Sequence, residues 1–206
     1  MNVTSRQHEP LFRNLAPLVL ASASPRRREM LACLGIVFEV YPADVDETPA
    51  PGEAAKAFVL RLARDKAAAV APRFPDRWVL AADTVVVLDG EILGKPSGPD
   101  EAAAMLDRLS GRGHEVWTGF CLTRGGKEVA RAECTKVRFA TFPSEVMRAY
   151  VRTGEPLDKA GAYGIQGVGG FLAEAIDGSY GNVVGLPLAV VLQALLAQAV
   201  IAPPPS

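Results

Sequence analysis

The sequence predicts an α/β fold, because strand-like and helix-like patterns alternate along most of the chain. Of the 206 residues, 49% are hydrophobic and 22% are charged, which is ordinary for a soluble globular protein. This length suits one substantial domain, or two small lobes that share a core. Periodicity alone does not fix the order of the strands.

The first strand and helix are predicted near the N-terminus. An apolar run at residues 18–21 is typical of a short buried strand. Ser24 suits an N-cap, and Pro25 suits the first helical position because proline has no N–H to leave unpaired. Gly35 then fits the end of the helix. The pattern predicts a strand, a small-residue turn and a helix in direct succession.

Arg26, Arg27 and Arg28 fall in the first turn of that helix. This placement is unfavourable for folding, since the helix N-terminus already carries partial positive charge and prefers carboxylates. It is favourable for an anion, and above all for a phosphate chain. The alternative is a solvated basic helix end.

The remaining elements follow from apolar periodicity and turn residues. Strands are predicted at residues 36–41, 78–88, 92–94, 115–123, 128–140 and 171–176. Helices are predicted at residues 53–71, 99–109 and 145–152, with a C-terminal core helix within 186–202.

Asp83 interrupts the most β-like segment of the chain, Trp78 to Leu88. A carboxylate in a buried strand is costly unless a cation, a metal or strong donors compensate it. This cost indicates a functional residue. The alternative is a structural aspartate that accepts hydrogen bonds from backbone donors at a β-bulge.

The segment 154–167 combines four glycines with a proline. These residues free or restrict the backbone unusually, which is compatible with the close approach of a ligand.

Composition excludes several classes of protein. A formal net charge of −1 provides no general basic field for nucleic acid. Cys33, Cys121 and Cys134 are widely spaced and indicate neither a metal cluster nor a disulfide framework, so we expect a reducing cytoplasm. No Gly-x-x-x-x-Gly-Lys-Ser/Thr motif of P-loop enzymes is present.

The chain ends are expected to contribute little to the fold. Residues 1–16 are predicted to be a disordered extension without signal-peptide character, and residues 17–201 to form one domain. The apolar run near the C-terminus is too short and too polar to cross a bilayer, so no membrane partner is expected.

Residues 20–27, Leu-Ala-Ser-Ala-Ser-Pro-Arg-Arg, resemble the signature of the Maf family of nucleoside triphosphate pyrophosphatases. The resemblance spans about residues 18–195. Further matching motifs lie at 82–84 with 94–96, at 154–167 and at 178–187. It implies a fold similar to inosine triphosphate pyrophosphatases, with a long mixed twisted sheet, helices on its faces and a central cleft between two lobes.

The resemblance also implies a reaction. Members hydrolyse a nucleoside triphosphate at the α–β bond, which gives the monophosphate and pyrophosphate. It implies Asp83 as the general base, and Mg²⁺ or Mn²⁺ held by Glu47 and Asp83. Whether Asp83 acts as base or as metal ligand stays open. The residues expected at the phosphates are Ser22, Arg26, Arg27, Lys66 and Lys95.

Within the family, one group acts on UTP and dTTP and another on 7-methyl-GTP. Arg26, Thr84 and Gln166 are of the first type here. The amide of Gln166 both donates and accepts, which suits the N–H and carbonyl edge of uracil or thymine. Alternatively, Gln166 only ties down its own loop.

A nucleoside triphosphate is therefore the expected partner. The oligomeric state stays open, with a homodimer as one possibility. A nucleotide-binding regulator of septum formation, without strong catalysis, would keep the same pocket. The retention of Asp83, Lys66 and Lys95 favours an enzyme.

Overall fold

The computed structural model describes residues 9–205. Its helices are α1 Pro25–Ala32, α2 Ala55–Val70, α3 Pro99–Leu109, α4 Ser144–Val151, α5 Tyr180–Val184 and α6 Leu188–Ala197. Its strands are β1 Arg13–Asn14, β2 Leu18–Leu20, β3 Glu39–Val40, β4 Trp78–Leu88, β5 Glu91–Leu93, β6 Gly113–Arg124, β7 Lys127–Phe139, β8 Ala173–Asp177 and β9 Ile201–Ala202. Short 3₁₀ turns lie at Ala71–Arg73, Glu155–Asp158, Ala160–Ala162 and Val168–Leu172.

The main sheet within these residues has seven strands in the order β3-β2-β4-β6-β7-β8, with β5 beside β4. Strand β2 runs parallel to both β3 and β4, and the other pairs are antiparallel. The predicted α/β class with a mixed sheet flanked by helices is confirmed.

Strand β4 organises the core, because its two faces bury different helices. On one face, Leu80 and Ala82 pack in the cluster of α1 and α6, whereas Val86 and Leu88 pack in the cluster of α3 and α4. The other face packs on α2 along its length. One face of β4 therefore carries two separate hydrophobic lobes, which meet near Thr84.

One edge of β4 is interrupted at the same level. Strand β2 pairs with Trp78–Leu80 and β5 pairs with Val86–Leu88. Along the part of the chain that the structure describes, no strand pairs with residues 81–85 on that edge, although β6 pairs continuously on the other. The gap between β2 and β5 opens the cleft in which Asp83 and Thr84 lie.

Helix α2 approaches the sheet closely because residue 119 is a glycine. A Cβ atom there would lie 2.5 Å from the carbonyl oxygen of Val59 in α2. Gly119 is also the register partner of Asp83. The close contact therefore holds α2 at the level of the buried carboxylate.

The ends of the fold differ from the sequence expectation. Residues 1–8 lie outside the described residues, but β1 pairs with β9, and the Asn14 side chain both donates to the Val37 carbonyl and accepts from the Val37 amide. The expectation of disorder is therefore wrong for residues 13–16. The C-terminal helix stops at Ala197, and Ile201–Ala202 form a strand. Both differences come from a pairing between the two chain ends, which no local pattern reveals.

Smaller differences concern the loops. The strand expected at 36–41 shortens to Glu39–Val40, and the one expected at 171–176 becomes Ala173–Asp177 after a 3₁₀ turn. Cys33, Cys121 and Cys134 are free thiols. Within residues 9–205, no helix is long and apolar enough to cross a membrane.

Candidate active site

The cleft at the gap in β4 encloses about 620 Å³. The start of α1, the acidic loop 42–52, α2, the middle of β4 and the glycine-rich segment 158–166 all contribute to its wall. The structure brings every sequence-predicted site residue to this wall, namely Ser22, Arg26, Arg27, Glu47, Lys66, Asp83, Thr84, Lys95 and Gln166.

Lys66 pairs with both predicted carboxylates. Its Nζ lies 2.6 Å from Oδ1 of Asp83 and 2.6 Å from Oε1 of Glu47. Asp83 is buried and stays in regular register with β6, so its partner is the lysine and not a set of backbone donors at a bulge. Lys66 projects from the face of α2 that packs on the sheet, which explains how a helical lysine comes to be buried.

The ion pairs govern the state of Glu47. Partial burial acts to raise the pKa of Glu47, but hydrogen bonds to Lys66 and the positive charges of Lys66 and Lys95 outweigh it. The net result is a pKa below the ordinary value of a glutamate, so Glu47 is ionised at neutral pH. Lys95 is more exposed, with its Nζ 3.6 Å from Oε2 of Glu47.

The donor set suits a magnesium-like cation with few protein ligands. Glu47 and Asp83 both reach the Lys66 ammonium, so their carboxylates converge on one point. Mg²⁺ is commonly held by one or two carboxylates, with water and substrate phosphates completing the shell. Within residues 9–205, no group of three or more Asp, Glu, His or Cys side chains is placed so that it could hold a metal ion.

Arg27 differs from the expected phosphate clamp. Its Nε donates to the Gly185 carbonyl at 2.7 Å, and Nη1 donates to the Ala82 carbonyl at 2.8 Å and to Ser22 Oγ at 3.2 Å. Nη2 donates to Thr84 Oγ1 at 3.0 Å. The buried guanidinium thus satisfies backbone groups at the open edge of β4, where a neighbouring strand is missing.

Arg26 is better placed to meet a ligand. Its side chain is 28% exposed, and Nη1 lies 3.7 Å from Oδ2 of Asp158 across the cleft. Helix α1 begins at Pro25, and no side chain among the described residues caps it. The helix N-terminus and Arg26 therefore present free donors and positive charge to the same space.

Thr84 belongs to a polar network that the sequence did not reveal. Thr118 donates its hydroxyl proton to the Asn182 carbonyl at 3.0 Å, so the 2.9 Å contact makes Thr84 the donor to Thr118. The Asn182 amide donates to Val116 O and Thr135 Oγ1. The only signal in the sequence is the presence of threonines in otherwise apolar strands.

Gln166 is exposed on the rim of the cleft. Its side-chain amide forms no hydrogen bond with any residue that the structure describes, so it does not tie down its own loop. Tyr150 and Glu155 hold the loop instead, and neither was singled out from the sequence.

The fold and the cleft define an α/β protein whose cleft gathers cationic side chains around a buried carboxylate. Residues 17–198 match the profile of the family described as Maf-like protein, and the chain belongs to this family.

The alignments between this chain and its relatives cover most of both proteins. The chain is 60% identical over 171 residues to the "dTTP/UTP pyrophosphatase" of Myxococcus xanthus, which covers 83% of this chain and 87% of that protein. It is 52% identical over 180 residues to the protein of the same name from Geobacter metallireducens, covering 86% and 94%. Among solved structures, the Staphylococcus aureus Ham1 protein aligns with a TM-score of 0.44 at 16% identity, covering 60% of this chain and 72% of that one.

Proposed function

We propose that this protein hydrolyses dTTP and UTP at the α–β bond and releases dTMP or UMP with pyrophosphate. The observation that carries the proposal is the Lys66–Asp83 pair, buried in a cleft that also holds Arg26, Lys95 and Gln166. The names of the relatives support the same substrates.

The triphosphate binds at the cationic side of the cleft. Arg26 offers a planar fork to two phosphate oxygens, and Lys95 offers a compact charge. Ser22 Oγ accepts hydrogen bonds from Ser24 N and Arg27 Nη1, so its own proton is free to point to an anion. Arg27 contributes from behind the site, because it holds Ser22 and Thr84 in place.

Asp83 accepts the proton of the attacking water. Lys66 Nζ lies 2.6 Å from Oδ1 of Asp83, so the lysine holds the carboxylate in a fixed orientation at the wall of the cleft. Asp83 is buried at the wall of the cleft, which limits its contact with bulk water.

A divalent cation, Mg²⁺ or Mn²⁺, would be held by Glu47 and Asp83 together with substrate oxygens. When bound, it would neutralise phosphate charge and polarise the reacting phosphoryl group. Lys66 occupies the point at which the two carboxylates converge, so its ammonium would have to move aside or share them.

Base selectivity is assigned to Gln166. Its unengaged amide can donate to a carbonyl and accept from an N–H, which matches the edge of uracil and thymine. Arg26 and Thr84 support this assignment only as family positions, since Thr84 already uses its hydroxyl proton on Thr118. Activity on 7-methyl-GTP is the competing specificity.

A nucleotide panel tests the proposal. UTP, dTTP, CTP, GTP and 7-methyl-GTP are incubated with the enzyme and Mg²⁺, and pyrophosphate and orthophosphate are assayed separately. UTP and dTTP should be hydrolysed fastest, with pyrophosphate as the product. Gln166→Glu should depress the hydrolysis of both nucleotides, whereas the matched change Gln193→Glu, at an exposed position of α6, should not. Release of orthophosphate, or a preference for 7-methyl-GTP, would overturn the assignment.

The same assay distinguishes an enzyme from a regulator of septum formation, which would bind nucleotide without releasing pyrophosphate.

We place the enzyme in the cytoplasm, where its substrates are made, with residues 17–201 as its catalytic domain. All the residues that we assign to the site line one cleft within a single chain.

A further inference from the structure

We propose that Tyr150 and Glu155 are positioning residues for base recognition, because together they fix the loop that presents Gln166. The inference rests on the proposed function of Gln166. It gives a role to two residues to which the sequence motifs assigned none, although Glu155 lies within the motif at 154–167.

The carboxylate of Glu155 is the centre of the loop. Its Oε1 accepts hydrogen bonds from the Tyr150 hydroxyl at 2.7 Å and from the Gly169 amide at 3.0 Å. Its Oε2 accepts from the Val168 amide at 2.8 Å. Three donors from two sides therefore converge on one side chain.

Tyr150 secures the other end of the loop. Its hydroxyl donates to Glu155 and accepts from the Gly164 amide at 3.0 Å. Gly164 lies two residues before Gln166, and Val168 lies two residues after it. The pair thus holds the backbone on both sides of the residue that we assign to the base, while the Gln166 side chain stays unengaged.

The glycines show how tightly the loop wraps round the pair. A Cβ atom on Gly167 would lie 2.4 Å from Oε2 of Glu155, and one on Gly169 would lie 2.2 Å from the Tyr150 hydroxyl oxygen. Contacts this short leave no room for a side chain. The glycine-rich composition therefore makes room for Tyr150 and Glu155, which we call the anchor, as well as for the approach of a ligand.

The electrostatics favour an ionised anchor. Burial acts to raise the pKa of Glu155, but the amide of Gly169, the Tyr150 hydroxyl and the Val168 amide outweigh it, so the pKa lies below the ordinary value. Burial and the neighbouring carboxylate raise the pKa of Tyr150, which keeps its hydroxyl a donor.

The anchor is also connected to the phosphate side of the cleft. Lys159 Nζ donates to the Glu155 carbonyl at 2.6 Å and to Asp158 Oδ1 at 2.6 Å. Asp158 in turn faces Arg26 at 3.7 Å. Two hydrogen bonds and an ion pair therefore connect the loop that presents Gln166 to Arg26, the residue that we assign to the phosphates.

The test compares kcat/KM for UTP and CTP in the parent, Glu155→Gln, Tyr150→Phe and the matched control Glu174→Gln, whose exposed carboxylate pairs with Arg138. Glutamine is similar in shape but turns one acceptor into a donor, opposite the Val168 amide. Both anchor variants should raise KM for UTP about tenfold, with a smaller change in kcat, and narrow the preference for UTP over CTP. The control should match the parent.

A double-mutant cycle separates positioning from general destabilisation. If Glu155 acts through Gln166, adding Glu155→Gln to Gln166→Ala should change the UTP/CTP ratio no further. Amide exchange of Val168 and Gly169, followed by NMR without nucleotide, should accelerate in Glu155→Gln but not in Gln166→Ala.

The outcomes distinguish this inference from the function on which it rests. A parent that does not prefer UTP over CTP overturns the proposed function, and the positioning role with it. A UTP-selective parent whose selectivity survives both anchor variants, or whose variants act additively with Gln166→Ala, overturns the positioning role alone.

Discussion

The ammonium group of Lys66 lies 2.6 Å from Oδ1 of Asp83 and the same distance from Oε1 of Glu47. Lys66 and Asp83 are both more than nine-tenths buried, whereas Glu47 lies on a loop at the mouth of the cleft. The buried Lys66 ammonium therefore compensates the charge of Asp83 and also contacts the loop that carries Glu47.

Asp83→Asn should lower turnover of dTTP and UTP by about a hundredfold or more, as expected for the loss of a general base. Pyrophosphate release under saturating nucleotide measures the effect. Thermal unfolding of the variant provides the control that the fold is intact. A variant as active as the parent would exclude Asp83 as the base.

Lys66→Met should lower the free energy of unfolding by about 3 kcal/mol, because it leaves Asp83 buried without a cation. The double variant Lys66→Met/Asp83→Asn should recover much of this loss, since the uncompensated charge is gone. Urea denaturation of the four proteins in the cycle measures the coupling. Strictly additive changes would show that the two residues do not stabilise each other.

Arg26→Lys and Arg27→Lys should have opposite signatures. Arg26→Lys should reduce kcat/KM by a factor that corresponds to about 2 kcal/mol of transition-state binding, because lysine lacks the planar guanidinium fork. The melting temperature should change little. Arg27→Lys should lower the free energy of unfolding by about 2 kcal/mol, because buried carbonyls at Ala82 and Gly185 lose their donor.

Arg28→Lys, on the exposed side of the same helix turn, is the matched control and should change neither quantity. Arg27→Lys with parental stability would contradict the structural role assigned to Arg27. Arg26→Lys with an unchanged kcat/KM would show that Arg26 is only a solvated helix end.

Stability should depend on pH through His114. This buried side chain contacts the Tyr163 hydroxyl at 2.9 Å, and its Nδ1 has no partner among the described residues. Burial lowers the pKa of His114 from 6.5 to about 4. Between these values the unfolded chain binds the extra proton and the folded chain does not, so stability should fall by about 3 kcal/mol as the pH drops from 6.5 to 4.

His114→Gln should flatten this part of the profile relative to the parent, since it removes the titrating group. Urea denaturation at pH 7 and pH 4.5 measures the difference, and comparison with the variant subtracts the carboxylates that titrate in the same range. Parallel profiles for the two proteins would contradict the assignment.

Sequence reasoning reached those parts of the site that have a local signature. The order strand, small-residue turn, proline and arginines predicted α1 and its start at Pro25, but the Ser24 side chain does not cap the helix as expected. Asp83 was identified because a carboxylate inside an apolar strand has a cost that can be read from its neighbours in the chain. The hairpin between β4 and β5 turns at Asp89 and Gly90, and both residues adopt positive φ values there.

The sequence by itself therefore determined the α/β class, the membership of the family and the set of residues that gather in the cleft. The tertiary structure alone decided what each of them faces. Arg27 donates to the carbonyl of Gly185, 158 residues away, and the Glu155 carboxylate accepts from the amides of Val168 and Gly169, 13 and 14 residues away. Helix and strand signals depend on neighbours within a few residues, whereas the partner of a buried charge is set by packing across the whole fold.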